Sequence, residues 1–283
     1  MKLWRFILAA SVVALVCADE TDEIWEAYQL IPNAAKLNAS KFMKRVIGLE
    51  KIIGGHSVDV RSFPYQLSLR SNSYHICGAS VISRDWALTA AHCVASQKNL
   101  SAISLRAGSS DRSFGGTIYN VSQIAVHPQY NPLLFDHDVA LLRVSGPFKS
   151  TDVKSILIAS EGYEPLEGLR SMVTGWGRMQ SNDRLPDLLH AVDIPIISRE
   201  ECGRFWGESL VTNKFLILDS MICAGQAGRD SCNGDSGGPL VTGGRQIGVV
   251  SWGSTDCGGP LPAVYTNLGR DTVRRFIFKV AGI

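Results

Sequence analysis

Apolar positions along this chain come mostly in short runs separated by turn residues. Tyr65–Leu69 alternates between larger apolar and smaller or polar side chains, while Gly78–Ile82 and Trp86–Ala90 are nearly continuous. Ser101–Arg106, Val139–Val144 and Gln246–Ser251 are runs of the same size. Runs this short, punctuated by Gly and Pro, predict β-strands rather than helices. One segment differs. Val273, Phe276, Ile277 and Val280 recur at i, i+3, i+4 and i+7, with Asp271 near the start, which predicts an amphipathic C-terminal helix. The expected class is all-β, a sandwich or a pair of barrels, with that one helix at its end. No internal repeat or low-complexity tract interrupts the pattern.

The N-terminus is organised differently. Lys2 and Arg5 precede the apolar stretch Phe6–Val16, and Cys17-Ala18 leads into the acidic Asp19-Glu20. A basic start, a short apolar centre and a small residue before a polar stretch describe a secretory signal peptide over residues 1–18, cut after Ala18. A membrane anchor needs roughly 20 apolar residues, more than this stretch offers. Residues 19–51 carry helix formers and several charges, and they end in Glu50-Lys51 before Ile52-Ile53-Gly54-Gly55. They read as a pro-segment removed by cleavage after Lys51. Val46 after Arg45 is a rival start, but it lacks the Gly-Gly pair.

Cysteine count supports the oxidising compartment. Of seven cysteines, Cys17 leaves with the signal, and Cys77, Cys93, Cys202, Cys223, Cys232 and Cys257 remain. An even set in a secreted chain reads as three disulfides, and spacing alone leaves their connectivity open. No C-x-x-C or C-x-x-H pairing suggests zinc. Sequons at Asn38, Asn99 and Asn120 are glycosylation candidates and predict surface loops there. Among 283 residues, Lys+Arg 28 against Asp+Glu 26 leaves a net charge of +2, which provides no field for nucleic acid and no basic block for a membrane surface.

Three segments carry chemistry. Thr89-Ala90-Ala91-His92-Cys93 ends a strand-like run with a histidine. Asp136-His137-Asp138 stands at the entrance to the apolar run Val139–Leu142. Gly234-Asp235-Ser236-Gly237-Gly238-Pro239 places a serine in a turn where glycines permit unusual backbone angles and close approach of another segment. Singly, each has an ordinary structural explanation. Together, in a processed and disulfide-bonded β protein, histidine, aspartate and serine form a nucleophile, base and orienter set. His137 is the competing base, but a strand neighbour of Asp138 points to the opposite face, so it is expected to be structural.

From Ile52 to Ile283 the chain resembles the trypsin and chymotrypsin family of serine endopeptidases. The resemblance rests on Ile52–Gly55, Thr89–Cys93, Asp138–Leu142, Gly175-Trp176-Gly177, Gly234–Pro239 and Ser251-Trp252-Gly253. It implies two antiparallel six-stranded β-barrels, roughly 52–160 and 161–268, with a C-terminal helix over 269–283. It assigns Ser236 as nucleophile, His92 as general base and Asp138 as its orienter, with the N–H groups of Gly234 and Ser236 as oxyanion hole. Asp235 is implied to pair with the α-amino group of Ile52 once Lys51 is cut, so that the pro-segment holds a zymogen. The pair raises the amine's pKa, so the active form is expected to be lost as pH rises through that value.

The resemblance also implies the pairs Cys77–Cys93, Cys202–Cys223 and Cys232–Cys257, with no cysteine left to tether the pro-segment. The family's calcium loop falls on Ser109–Tyr119, which has Asp111 as its only acidic residue, so no structural calcium, other metal or cofactor is expected. Asp230 matches the pocket floor that selects Arg or Lys, with Ser231, Ser251, Trp252 and Gly253 around it. Ala263 replaces a second glycine of the pocket wall, and an extra methyl there costs about 1–3 kcal/mol. The expected activity is cleavage after Arg or Lys. Chymotrypsin- or elastase-like specificity and a catalytically silent binding homologue are the alternatives. The implied partners are protein or peptide substrates, protein protease inhibitors, and an activating protease (or a second copy) acting at Lys51 of a secreted monomer.

Overall fold

The computed structural model describes residues 54–149, 153–179, 184–209, 217–254 and 256–283. The expected signal peptide, the pro-segment, Asn38, Lys51 and Ile52 lie outside the described residues.

Strands dominate, and they close into two barrels. The first contains β2 (Gln66–Ser71), β3 (Tyr74–Val81), β4 (Trp86–Thr89), β5 (Ile103–Ala107), β6 (Thr117–Val126) and β7 (Ala140–Val144), in the order β2-β3-β4-β7-β6-β5 and antiparallel throughout. The second contains β9 (Arg170–Gly175), β10 (His190–Ile197), β11 (Met221–Ala224), β12 (Pro239–Thr242), β13 (Arg245–Trp252) and β14 (Ala263–Asn267). Here β10, β11, β14, β13 and β12 follow in order, and β9 pairs with both β12 and β10 to close the ring. Two short strands lie outside the barrels and both join the second sheet: β1 (His56–Ser57) pairs with β10, and β8 (Leu157–Ile158) with β13.

Each barrel is filled by its own inward side chains. Leu67, Leu69, Ala79, Leu88, Leu105 and Leu141 fill the first, and Val173, Ile194, Leu240, Ile247 and Tyr265 the second; all are essentially inaccessible to water. Full burial of such a side chain contributes about 1.5–3 kcal/mol, so the cores hold the barrels shut. Between the barrels the contact is polar and specific. Thr174 Oγ1 donates to Gln66 Oε1 at 2.6 Å, and Ser80 Oγ donates to Gln246 Oε1 at 2.6 Å, both buried. A buried hydrogen bond left half-made is costly, so these pairs select one way for the barrels to meet.

The expected strand runs lie in β2, β3, β4, β5, β7 and β13. Helix α1 (Arg199–Ser209) was not anticipated, because its buried face consists of little more than Cys202 and Trp206. The C-terminal helix α2 spans Asp271–Ala281 and buries Val273, Phe276 and Ile277. Those residues join the first barrel's core although the helix follows the second barrel, so α2 straps one to the other. Gly282 ends it in a left-handed cap at φ 75°, its N–H bonded to Phe278 O. Cysteines 77 and 93, 202 and 223, and 232 and 257 are disulfide-bonded. Among the described residues no helix is long and apolar enough to cross a membrane.

Candidate active site

The face where the barrels meet gathers the three expected residues from distant parts of the chain. His92 lies in a short 3-10 turn directly after β4. Its backbone N–H donates to Asp138 Oδ1 at 2.8 Å, and its Nδ1 meets Asp138 Oδ2 at 2.7 Å. An ionised carboxylate only accepts, so Nδ1 carries the proton and Nε2 keeps a free lone pair. Asp138 is wholly buried in front of β7, while 24% of the His92 side chain is exposed. Ser251 Oγ also donates to Asp138 Oδ2, at 2.5 Å, and Thr266 Oγ1 donates to the Asp138 carbonyl at 2.7 Å. The aspartate thus belongs to the first barrel but is held by two hydroxyls of the second. Phe135 packs edge-on against the His92 ring, 5.7 Å between centroids.

Ser236 is half-buried in the turn that leads into β12. Its carbonyl accepts the N–H of Gly78 in β3 at 2.7 Å, so the serine turn is docked on the first barrel. Gly237 makes the docking possible. It sits at φ 81°, and a β-carbon there would lie 2.2 Å from Thr89 Oγ1 and 2.5 Å from the Gly78 carbonyl. Cys93 Sγ lies 3.8 Å from the Ser236 carbonyl and 3.6 Å from His92 Nε2, which places serine and histidine against one disulfide. Among the described residues the only metal-type cluster is Cys77, His92 and Cys93, and its sulfurs are already bonded to each other.

Asp235 points the other way, into the second barrel. It is fully buried, accepting from Gly177 N at 2.7 Å and Cys232 N at 3.0 Å, and burial pushes its carboxyl up to about 6. A β-carbon on Gly175 or Gly177 would come within 2.1 Å of its oxygens, so the Gly-Trp-Gly motif is the carboxylate's cradle. His75 was missed by sequence reasoning. Its Nε2 donates to the Gly234 carbonyl at 3.1 Å while Nδ1 accepts from Ser68 Oγ at 2.7 Å, and burial lowers it to about 4. A neutral imidazole therefore steadies the glycine end of the serine turn. Only its place two residues before Cys77 could have flagged it.

Asp230 is buried beside Ser231 and Ala263. It is 4% exposed and accepts the Ser231 N–H at 2.7 Å. Burial pushes it up to about 8, with the Asp235 charge adding to the rise. Ser231 Oγ is 3.2 Å from Tyr265 Oη. A β-carbon on Gly225 would touch both Asp230 Oδ1, at 3.4 Å, and the Ala263 nitrogen, at 3.5 Å. One on Gly253 would sit 3.6 Å from the Ala263 methyl. Trp252 packs edge-on against Trp206, 4.8 Å between centroids.

Two further positions, His137 and Asp111, have partners of their own. His137 is not placed by strand alternation: it precedes β7 at φ 51°, and its ring meets Thr272. In the loop after Gly108, Asp111 Oδ1 is occupied by the N–H groups of Ser113 and Phe114, at 2.7 and 3.0 Å. The Arg106 guanidinium donates to the carbonyls of Ser113 and Gly115 in the same loop.

The trypsin family model matches residues 52–273. Trypsin alpha-4 of Lucilia cuprina is 38% identical over 219 residues, covering 77% of this chain and 83% of that protein. Trypsin alpha of Drosophila melanogaster is 38% identical over 220 residues, covering 77% and 83%, and trypsin of Simulium vittatum 39% over 223, covering 76% and 87%. With two closed barrels, a buried aspartate on a histidine and a glycine-docked serine turn between them, the chain belongs to the trypsin family and is a serine endopeptidase.

Proposed function

We propose that this protein is a secreted zymogen, cut after Lys51, that hydrolyses protein chains on the carboxyl side of Arg and Lys. The observation that carries the specificity is Asp230. A carboxylate 4% exposed, with the buried Asp235 as a further negative charge near it, is costly to ionise until a cation enters. A guanidinium or ammonium supplies that cation, and an apolar side chain would leave the charge unpaired. Ser231 adds a hydroxyl beside it, and the Ala263 methyl takes up room on the wall.

In this reading the Ser236 hydroxyl attacks the scissile carbonyl carbon as His92 Nε2 takes its proton. Asp138 holds the Nδ1–H tautomer and stabilises the imidazolium that forms. The N–H groups of Gly234 and Ser236 receive the oxyanion, where one donor is typically worth about 2.7–4 kcal/mol. His92 then protonates the leaving amine, the acyl group remains on Ser236, and water repeats the sequence to release it. Asp235 supplies the switch. Its carboxylate, already held by two N–H groups, pairs with the Ile52 amine that cleavage creates, and this orders the oxyanion turn.

The test is kcat/KM of protein with Ile52 as its confirmed N-terminus, on matched peptides bearing Arg, Lys, Phe, Leu or Ala before the scissile bond. Strong preference for Arg and Lys is expected, and Asp230→Ser should abolish it. Preference for Phe, Leu or Ala would overturn the specificity while leaving the protease intact. Activity that stays flat far into alkaline pH would overturn the amine switch.

A further inference from the structure

Two histidines outside the proposed triad meet beneath the turn that carries Asp138. His127, just past β6, and His137 stack with ring centroids 4.6 Å apart and planes 20° apart. The turn above them is strained. Phe135 and His137 both adopt left-handed backbone, at φ 52° and 51°, a conformation unfavourable for any residue with a β-carbon. Val139 N–H donates back to the His137 carbonyl at 2.8 Å, so the chain folds tightly around Asp138 itself. Such a turn persists only if its neighbours hold it.

The holding groups converge on one residue of the C-terminal helix. Thr272 Oγ1 lies 2.9 Å from His137 Nε2, and the Thr272 carbonyl accepts from His127 Nε2 at 3.2 Å. His127 Nδ1 accepts the Gln129 N–H at 3.1 Å, which fixes its tautomer, and Phe276 of α2 meets its ring edge-on. Burial keeps His127 below the ordinary imidazole range, and so neutral. On the far side of His137, Nδ1 lies 2.8 Å from Asp136 Oδ1, which in turn accepts from Ser220 Oγ at 2.5 Å. Since α2 is anchored in the first barrel's core by Val273, Phe276 and Ile277, Thr272 is a fixed point.

We propose that Thr272 and His137 act as a positioning strut through which the C-terminal helix sets the place of Asp138. The proposal rests on the reading of Asp138 as the residue that orients His92. The side chain and carbonyl of Asp138 have their own partners, whereas the side chain of the strained His137 before it meets the C-terminal helix through Thr272. Loss of the Thr272 hydroxyl lets the His137 ring swing and the turn relax toward ordinary backbone angles. A carboxylate displaced by an ångström mispositions His92, and misplacement of that size costs about 100-fold in rate.

Thr272→Val removes the hydroxyl at nearly constant shape, while Thr272→Ser keeps it. On an amide substrate, with active sites titrated, Thr272→Val should lower kcat about 10- to 100-fold with KM within about twofold. Thr272→Ser should recover most of that loss. The melting temperatures of the two variants should lie close together, so stability alone does not account for the difference. Parental kcat in Thr272→Val overturns the strut, as does a loss that serine fails to rescue. Asp138→Asn separates the two levels of the argument. If it is inactive while Thr272→Val is fully active, the strut alone fails; if it keeps parental kcat, the reading of Asp138 fails beneath it.

Discussion

Gly237 is where the serine turn is pressed onto the first barrel, and replacing it measures how much that docking matters. A β-carbon at this position would stand 2.2 Å from Thr89 Oγ1, 2.5 Å from the Gly78 carbonyl and 3.1 Å from Ala90 N. The threonine can rotate away, but the two backbone atoms are locked in or beside β3 and β4. Gly237→Ala therefore carries two costs. Left-handed backbone is worth about 1–2 kcal/mol against a residue with a β-carbon, and overpacking adds about 1–3 kcal/mol. The sum, about 2–5 kcal/mol, is a large part of the 5–15 kcal/mol typical of a folded domain. At about 2–4 °C per kcal/mol for a chain of this size, Tm should fall by about 4–20 °C. A serine displaced by an ångström should also lose about 100-fold in kcat/KM. Gly243→Ala is the control: it has a similar backbone, φ 54°, with nothing within 4 Å of the new carbon. It should show only the backbone cost and keep its activity. Tm is read in a Ser236→Ala background to prevent self-digestion, and kcat/KM with the serine intact. If the two alanine variants match in both measurements, the docking argument is wrong.

Burial raises Asp230 from 3.8 to about 8 and Asp235 to about 6, so the folded state holds their protons longer than the unfolded chain does. Their contribution to stability is complete below about pH 4 and is lost as pH rises through 6 and then 8. In the Ser236→Ala background, Asp230→Asn should flatten the fall in Tm between pH 6 and 8, and parallel curves for parent and variant would rule this out. A small aromatic amidinium added at pH 8 should raise the Tm of the parent but not of the asparagine variant. Asn99 and Asn120 are exposed, Asn120 within strand β6 rather than in the expected loop, and Asn99 Oδ1 accepts from the Ser101 hydroxyl at 2.7 Å. Protein secreted from eukaryotic cells should lose mass on enzymatic removal of N-glycans, with Asn99→Gln and Asn120→Gln each abolishing part of the shift; an unchanged mass would exclude glycans at both.

Legibility followed local pattern. β4 and β7 are read from nearly continuous apolar runs because both their faces are largely buried, β2 from its alternation, and α2 because its buried residues repeat along one face. β6 escapes the same reading: most of its ten residues are exposed or half-exposed, so no alternation marks it. His75 and the pair His127 and His137 escape for another reason. Each acts through a partner far along the chain, on Gly234 or on Thr272, and nothing around a histidine announces such a partner.

The sequence by itself determined the strand-rich class, the amphipathic terminal helix, the six cysteines from Cys77 to Cys257, and the residue types that nucleophilic chemistry requires. These are properties of neighbours in the chain, set by side-chain volume, polarity and backbone freedom. Only the tertiary structure decided that Asp138 is buried under His92, that hydroxyls from Ser251 and Thr266 hold it, and that Asp235 turns into a glycine cradle while the Ser236 carbonyl docks on Gly78. Those outcomes depend on two barrels closing and meeting in one register. That closure is set by summed core packing and a few buried interbarrel hydrogen bonds, and no local period in the sequence encodes it.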